Sequence, residues 1–172
     1  VDLATGAVTY EGLLDTQEAS NRRYNTALYK TDKMVLRKVA AGGTYTTGDN
    51  VNYSANNSSK TWTLDRDYYI GVFMVTQAQY QKVVGRNPAG CTAESGVEGD
   101  VVAHRPVEQV AWVSLRGMSS VQSQVPVTAS ATGNFFPRLK YLSEMNFDFP
   151  TEVMFEIAAR AGSTTAYSWG EA

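Results

Sequence analysis

The sequence predicts an α+β fold, in which strands and helices do not alternate strictly. Short runs rich in aromatic and β-branched residues, such as Tyr68–Val75, are typical of strands. Two later segments, 76–84 and 152–161, begin with cap residues and carry apolar side chains at helical spacing. Strand-like runs dominate the middle of the chain and helices dominate its last third. This order favours α+β over repeated βαβ units.

The composition is that of a folded domain without an excess of either charge. The chain has 172 residues, of which 43% are hydrophobic and 19% charged, and this is sufficient for a packed core. Fifteen Lys and Arg against 17 Asp and Glu give a formal charge of −2. We therefore expect no nucleic-acid partner, because there is no basic excess to neutralise phosphates. No apolar run approaches the ~18 residues of a membrane-spanning helix, and no signal-peptide pattern opens the sequence.

The first part of the chain is predicted to be an arm followed by four strands. Residues 1–32 are mixed and polar, and we expect an N-terminal arm or an added edge strand, with the main domain at 33–172. A turn at 41–43 separates the first two strands, and a polar loop at 49–60 precedes the last two. The four predicted strands are Met34–Val39, Thr44–Gly48, Trp62–Asp65 and Tyr68–Val75.

A helix is predicted to begin at Thr76. A threonine hydroxyl can accept hydrogen bonds from the free N–H groups of a first helical turn. Val75 before this cap and Tyr80 after it have the spacing of a hydrophobic staple. Gly85 is the expected stop, since glycine readily adopts the left-handed conformation that ends helices.

The last third is predicted to contain three further helices and a short strand. A helix is expected from about Val113 into the 119–124 region, and Asn134 is expected to cap the next one. The buried stripe of that second helix is predicted to be Phe135, Phe136, Leu139 and Leu142. Residues 147–149 resemble a strand, and Thr151 is expected to cap a helix over 152–161 that Gly162 ends. Glu152 in its first turn suits the positive end of the helix dipole.

Three segments in order resemble the sulfatase-modifying-factor family, whose best-known members are formylglycine-generating enzymes. The first is residues 34–45, with the run Met-Val-Leu-Arg-Lys-Val-Ala-Ala-Gly-Gly-Thr-Tyr. The second joins Tyr68–Gly71, the Val-Thr helix start at 75–76 and the Asn-Pro turn at 87–88 to Arg105–Trp112. The third is Pro150-Thr151-Glu152, followed by Ala-Ala-Arg-Ala-Gly at 158–162 and Trp-Gly at 169–170. The order and spacing of these segments carry the resemblance.

The resemblance implies an elaborated C-type-lectin-like α+β domain, and this sequence departs from the family pattern in places. Met154 stands where the family has a second glutamate, which removes the returning carboxylate of a capping box. Phe155 replaces the usual tryptophan. In the family the chain continues past Trp-Gly into a second part with a Gly-Asn-Val-Trp-Glu-Trp motif, the copper-binding cysteine pair and most calcium ligands. We expect this chain to be the first part of such a fold, lacking the C-terminal part.

The single cysteine and the single histidine are weak candidates for catalysis. A copper–thiolate oxidase needs two closely placed soft ligands, and Cys91 is the one cysteine of the sequence. Without an evident activating neighbour, we expect Cys91 to be an incidental thiol. His104 could act as a general base, but no nucleophile motif accompanies it, so we expect a loop histidine. No catalytic or cofactor-binding residue is assigned, and metal ligands stay open.

Four carboxylates and a glycosylation pattern have both structural and functional interpretations. Asp65 and Asp67 share one face of a predicted strand, a spacing seen in calcium sites and on ordinary solvated strands. Glu152 and Glu156 are expected to be structural. The 56–59 segment Asn-Asn-Ser-Ser contains overlapping N-glycosylation patterns, which matter only in a secretory pathway. Most aromatic residues are expected in the core, namely Trp62, Tyr68, Tyr69, Phe73, Trp112, Phe135, Phe136, Phe155 and Trp169.

Three functions remain open. We favour a non-catalytic module that binds a protein or glycan ligand on a lectin-like scaffold, outside the cell, at its surface or in the periplasm. The first alternative is a formylglycine-generating oxidase acting on a sulfatase cysteine, with its cysteines, copper and calcium in the missing part. The second is a structural subunit of an extracellular assembly that self-associates through the N-terminal arm. Family membership alone does not decide among them.

Overall fold

The computed structural model describes residues 1–12, 23–48, 58–117, 127–165, 167, 168 and 170. Within them the elements are four short strands, five α-helices and one 3₁₀ helix. The strands are β1 (Leu36–Val39), β2 (Thr44–Thr47), β3 (Lys60–Thr63) and β4 (Tyr68–Gly71). The helices are α1 (Leu28–Thr31), α2 (Gln77–Val84), the 3₁₀ helix Val102–His104, α3 (Trp112–Arg116), α4 (Phe135–Ser143) and α5 (Glu152–Arg160). This mixture of helices and small sheets confirms the predicted α+β class.

The chain divides into two compact units. Unit 1 comprises Val1–Leu36 and Gly71–Asp148, and unit 2 comprises Arg37–Ile70 and Phe149–Ala172. The domain boundary predicted at residue 33 stays a prediction.

Unit 1 is built around a small aromatic and aliphatic core. Its fully buried members come from the N-terminal segment, α2 and α4, and they are Leu3, Tyr80, Val83, Phe135 and Leu139. The rings of Tyr80 and Phe135 stack with centroids 5.4 Å apart and an interplanar angle of 2°. Leu3 is only 1% exposed. The segment predicted to be an N-terminal arm therefore contributes a side chain to this core.

In unit 2, β2 and β3 pair antiparallel and α5 lies beside β2. The register pairs Tyr45 with Trp62 and Thr46 with Thr61, and a second two-stranded sheet pairs β1 with β4. Thr151 caps α5 by accepting a hydrogen bond from the Met154 N–H at 3.2 Å, as predicted. The Tyr68 hydroxyl donates to the Met154 carbonyl at 2.7 Å, and this fixes the first turn of α5.

The predicted cap at Thr76 is confirmed and is stronger than the sequence analysis indicated. The Thr76 hydroxyl accepts from the Gln79 N–H, and the Gln79 side chain accepts from the Thr76 N–H, so the two form a full capping box. Gly85 ends α2 in the left-handed conformation, with φ +87°, also as predicted. Asn134 is at the N-cap position of α4 but makes no side-chain cap hydrogen bond, and its Nδ2 donates instead to the Val113 carbonyl at 2.7 Å.

One predicted strand is too long, and another is absent. The Tyr68–Val75 strand ends at Gly71, where the last pairing contact is the Val72 N–H to the Val35 carbonyl at 3.0 Å. Residues 147–149 form no strand; Phe147 instead packs against the unit 1 core. Apolar residues in a row indicate burial or a β-rich environment, but they do not supply a pairing partner.

The prediction that most aromatics lie in the core is also wrong. Of the nine named, Phe135 alone is buried among those described. Tyr68 and Phe136 are half-buried, and Trp169 lies outside the described residues. The remaining five are exposed, namely Trp62, Tyr69, Phe73, Trp112 and Phe155.

Candidate functional site

A buried amide at the start of α2 organises the long irregular segment that follows this helix. Gln77 is 1% exposed, and both ends of its side chain are used. Its Oε1 accepts from Asn87 Nδ2 at 3.0 Å, and its Nε2 donates to the Cys91 carbonyl at 3.2 Å. Its backbone N–H donates to the Arg105 carbonyl at 2.9 Å. Gln77 therefore bonds to the 87–106 segment near its start, at Cys91 and near its end.

The 87–106 segment is held further by an ion pair between Asp100 and Arg105. Arg105 Nε donates to Asp100 Oδ1 at 3.1 Å, and Arg105 Nη2 donates to Oδ2. This bidentate geometry is the strongest arrangement of an arginine–carboxylate pair. The same carboxylate accepts from the Ser95 N–H at 3.0 Å. Hydrogen bonding from the Arg105 guanidinium, followed by that from Ser95, holds the pKa of Asp100 well below its usual range.

The turn that ends at Asp100 displays apolar side chains beside the ion pair. The Asp100 N–H donates to the Val97 carbonyl at 3.0 Å, and Gly99 in this turn has φ +76°. Val97 and Val101 flank the turn, with exposures of 68% and 43%. The 87–106 segment therefore combines a fixed backbone with exposed apolar side chains.

Cys91 and His104, the two candidates for catalysis considered from the sequence, both lie in this segment. Cys91 is an exposed free thiol, and its backbone, not its sulfur, makes the structural contacts: its N–H donates to Glu108 Oε1 at 2.7 Å. His104 is in the last position of the 3₁₀ helix and is half-buried. Their treatment as non-catalytic stays a prediction.

Three of the four carboxylates considered from the sequence have side-chain or backbone partners, and the fourth, Glu152, lies at a helix start. Asp65 pairs with Arg66 at 2.9 Å, and Asp67 pairs with Lys38 at 2.6 Å. The Lys38 hydrogen bond, together with the Ala41 N–H, lowers the pKa of Asp67. Glu152 is in the first turn of α5, where it suits the helix dipole. Glu156 accepts from the Gly48 N–H at 2.7 Å and from Arg160 Nε at 2.7 Å.

Within the described residues, the side chains do not form the copper or calcium sites that the family resemblance implies, and metal ligands stay a prediction. A copper–thiolate site needs a cysteine pair, and the sequence has Cys91 alone. No group of three or more His, Cys, Asp or Glu side chains with metal-binding geometry occurs within the described ranges. Asp65 and Asp67 are each paired with a cation instead. The glycosylation pattern at 56–59 begins outside the described residues.

Sequence reasoning missed both Gln77 and the Asp100–Arg105 pair. Gln77 precedes Tyr80 by three residues, which places it on the buried face of α2. A polar residue on a buried face needs hydrogen-bond partners. The position of Gln77 could therefore have predicted a buried side chain that hydrogen-bonds to another segment. Asp100 and Arg105 are five positions apart and flank the 3₁₀ helix Val102–His104, which the sequence pattern did not indicate.

Within the described part of the chain, no helix is both long enough and apolar enough to cross a membrane. Comparison with protein families matches residues 21–172 to the sulfatase-modifying factor enzyme 1-like domain. A curated relative, the "Chaperone protein LppX" of Paenibacillus barcinonensis, is 37% identical over 82 residues. The match covers 48% of this chain but 23% of that relative. No solved structure matches the chain. Since the family match extends over most of the sequence and agrees with the ordered motifs, the chain belongs to the sulfatase-modifying factor enzyme 1-like family.

Proposed function

We propose that this domain is a non-catalytic binding module that holds a protein ligand at the 87–106 segment. The observation that carries the proposal is the fixed backbone of this segment. Gln77 and the Asp100–Arg105 pair hold it in place, and Val97 and Val101 remain exposed. The C-type-lectin-like scaffold and the location outside the cell, at its surface or in the periplasm, are parts of the same proposal.

The energetics of binding favour such a segment. A loop that is ordered before the ligand arrives avoids much of the conformational entropy cost of association. Binding residues are often found on loops that a rigid scaffold positions, and here the scaffold is α2 with its capping box. Exposed valines gain free energy when a partner covers them, at about 25 cal/mol per Å² of apolar surface. A protein partner is also in keeping with the name of the relative, a chaperone protein.

The test is an interaction screen of the full-length protein against purified secreted and cell-surface proteins. A V97S/V101S double variant removes the exposed apolar surface without touching the Asp100–Arg105 pair. Tyr141→Ser is the matched control, because Tyr141 is an exposed side chain of unit 1 on α4. We expect a partner that the wild type and the control bind equally and the double variant binds about fivefold more weakly or worse, as truncation of interface anchors costs roughly 1 kcal/mol or more. Equal binding by all three proteins, or no partner at all, would contradict the proposal.

The second candidate is a formylglycine-generating oxidase, which family membership alone favours. The full-length protein is incubated with a cysteine-containing sulfatase peptide under air and copper, and aldehyde is detected with a hydroxylamine probe. The binding-module proposal predicts no aldehyde above the no-protein control. Aldehyde formation that depends on the protein would replace the proposal with the oxidase.

A further inference from the structure

Unit 2 contains a small cleft of mixed polar and apolar lining between β2 and the C-terminal end of α5. Its walls are residues 44–46 of β2, Ile157 and Arg160 of α5, and residues 162–164 beyond the helix. Its volume is about 80 Å³, against roughly 300–1,000 Å³ for sites that enclose drug-sized ligands. The cleft therefore accommodates a very small molecule or one end of a larger one.

The lining of the cleft holds hydrogen-bonding groups that the fold leaves unused. Thr44, Thr46 and Thr164 all line it, and none of their hydroxyls has a hydrogen-bond partner among the described residues. By contrast, the Ser163 hydroxyl is engaged with Thr165 at 2.6 Å. Each free hydroxyl can donate one hydrogen bond and accept two.

Arg160 adds donors that are fixed in place. Its side chain is 9% exposed, and two of its five N–H groups are used. Its Nε donates to Glu156 at 2.7 Å, and its Nη1 donates to the Thr165 carbonyl at 2.8 Å. The remaining N–H groups have no partner within the described residues. Because two hydrogen bonds hold the guanidinium, its free donors are preorganised for a ligand oxygen.

The charges around the cleft favour a neutral ligand over an anion. Glu156 already neutralises Arg160 in an i,i+4 pair. The C-terminal end of α5, at the Ala161 cap, adds the negative end of the helix dipole. A bound anion would face both of these, whereas a neutral hydroxyl-bearing molecule would use the donors and acceptors alike. Two apolar groups also line the cleft, namely Ile157, which is 3% exposed, and the Tyr45 ring. They can contact the C–H groups of such a molecule.

We propose that this cleft is a binding subsite for a small neutral polyol, of glycerol size or the hydroxylated end of a larger molecule. It lies in unit 2, so it does not rest on the function proposed for the 87–106 segment of unit 1. Failure of one proposal leaves the other standing.

The experiment is a titration of the isotope-labelled full chain with glycerol, followed by backbone amide NMR, with sodium acetate as a second probe. We expect saturable shift changes confined to residues 44–46 and 160–164, with acetate causing none there. Thr46→Val removes one lining hydroxyl at nearly constant shape, and Thr164→Val does so outside the sheet. Each should weaken glycerol binding by roughly two- to tenfold, the effect of one hydrogen bond. The matched control is Thr63→Val, which is in the adjacent strand and does not line the cleft.

Four outcomes would overturn the inference. They are the absence of saturable shifts, shifts spread over the whole surface, saturation by acetate instead of glycerol, and equal weakening by Thr63→Val. If Thr46→Val fails to fold, as judged by its amide spectrum, Thr164→Val alone decides the result.

Discussion

Replacing Gly6 by alanine should destabilise unit 1 more than the same change at Gly96. Both glycines have almost the same left-handed backbone, with φ +76° and +75°. An alanine in this conformation costs about 1–2 kcal/mol, and this cost is common to both sites. The surroundings differ: a Cβ on Gly6 would overlap the backbone carbonyl of Leu142, whereas a Cβ on Gly96 meets nothing within 4 Å.

The overlap at Gly6 cannot be relieved by a side-chain rotation, because the opposing atoms are backbone at the end of α4. The Gly6 N–H also donates to the Asp2 carbonyl at 2.9 Å, so the turn that carries Leu3 into the core must shift with it. Overpacking of this kind costs about 1–3 kcal/mol. The expected losses in the free energy of unfolding are therefore about 1–2 kcal/mol for Gly96→Ala and about 2–5 kcal/mol for Gly6→Ala.

Urea unfolding followed by circular dichroism measures both variants against the wild type. Gly6→Ala should lower the midpoint more, with the slope unchanged. Equal midpoints for the two variants would refute the reasoning, since they would show that the N-terminal turn does not pack against α4. This result would instead favour the N-terminal arm or added edge strand that the sequence predicts.

Three further predictions concern single side chains. Tyr80→Phe should leave the free energy of unfolding unchanged or raise it by up to about 1 kcal/mol, because the buried hydroxyl has no partner among the described residues. Thermal unfolding measures this change, and a clear loss of stability would contradict the prediction. Thr151→Ala should cost about 1 kcal/mol in urea unfolding by removing the cap of α5, and an unchanged midpoint would contradict the capping role. Asp100→Asn should speed amide exchange in the 87–106 segment at neutral pH. The low pKa of Asp100 means that its stabilisation is present above the unfolded pKa of about 4 and lost as the pH falls towards the lower folded value. The variant and the wild type should therefore converge in strong acid, and a difference that persists there would contradict the ion-pair account.

Much of the fold could be predicted because its signals are local. Thr76, Gly85 and Thr151 act within one helical turn, so cap chemistry at those positions identified the helix boundaries. The β2 and β3 runs were found from their β-rich composition and flanking turns. The end of β4 was missed because strand length depends on the partner strand, and β1, with which β4 pairs, is itself only four residues long.

The candidate site was largely hidden from the sequence, because its contacts join residues without periodic spacing. Asp100 and Arg105 meet across a short 3₁₀ helix, and Gln77 reaches Cys91 fourteen positions away. Burial was also overestimated for the aromatics. Phe155 replaces the family's usual tryptophan and is 61% exposed, although helical periodicity around it is regular. An apolar side chain indicates a preference for burial, but only the packing of other elements provides it.

The central claim is that the 87–106 segment is ordered before any ligand binds. Hydrogen exchange of the ligand-free, full-length protein, read at individual amides, tests it most directly. The account predicts that the Cys91 and Ser95 N–H groups, which donate to Glu108 and Asp100, exchange more slowly than in an unfolded chain. It also predicts that Arg105→Gln removes the protection at Ser95 while leaving the α2 amides protected. Exchange of Cys91 and Ser95 at unfolded-chain rates in the wild type would contradict the claim.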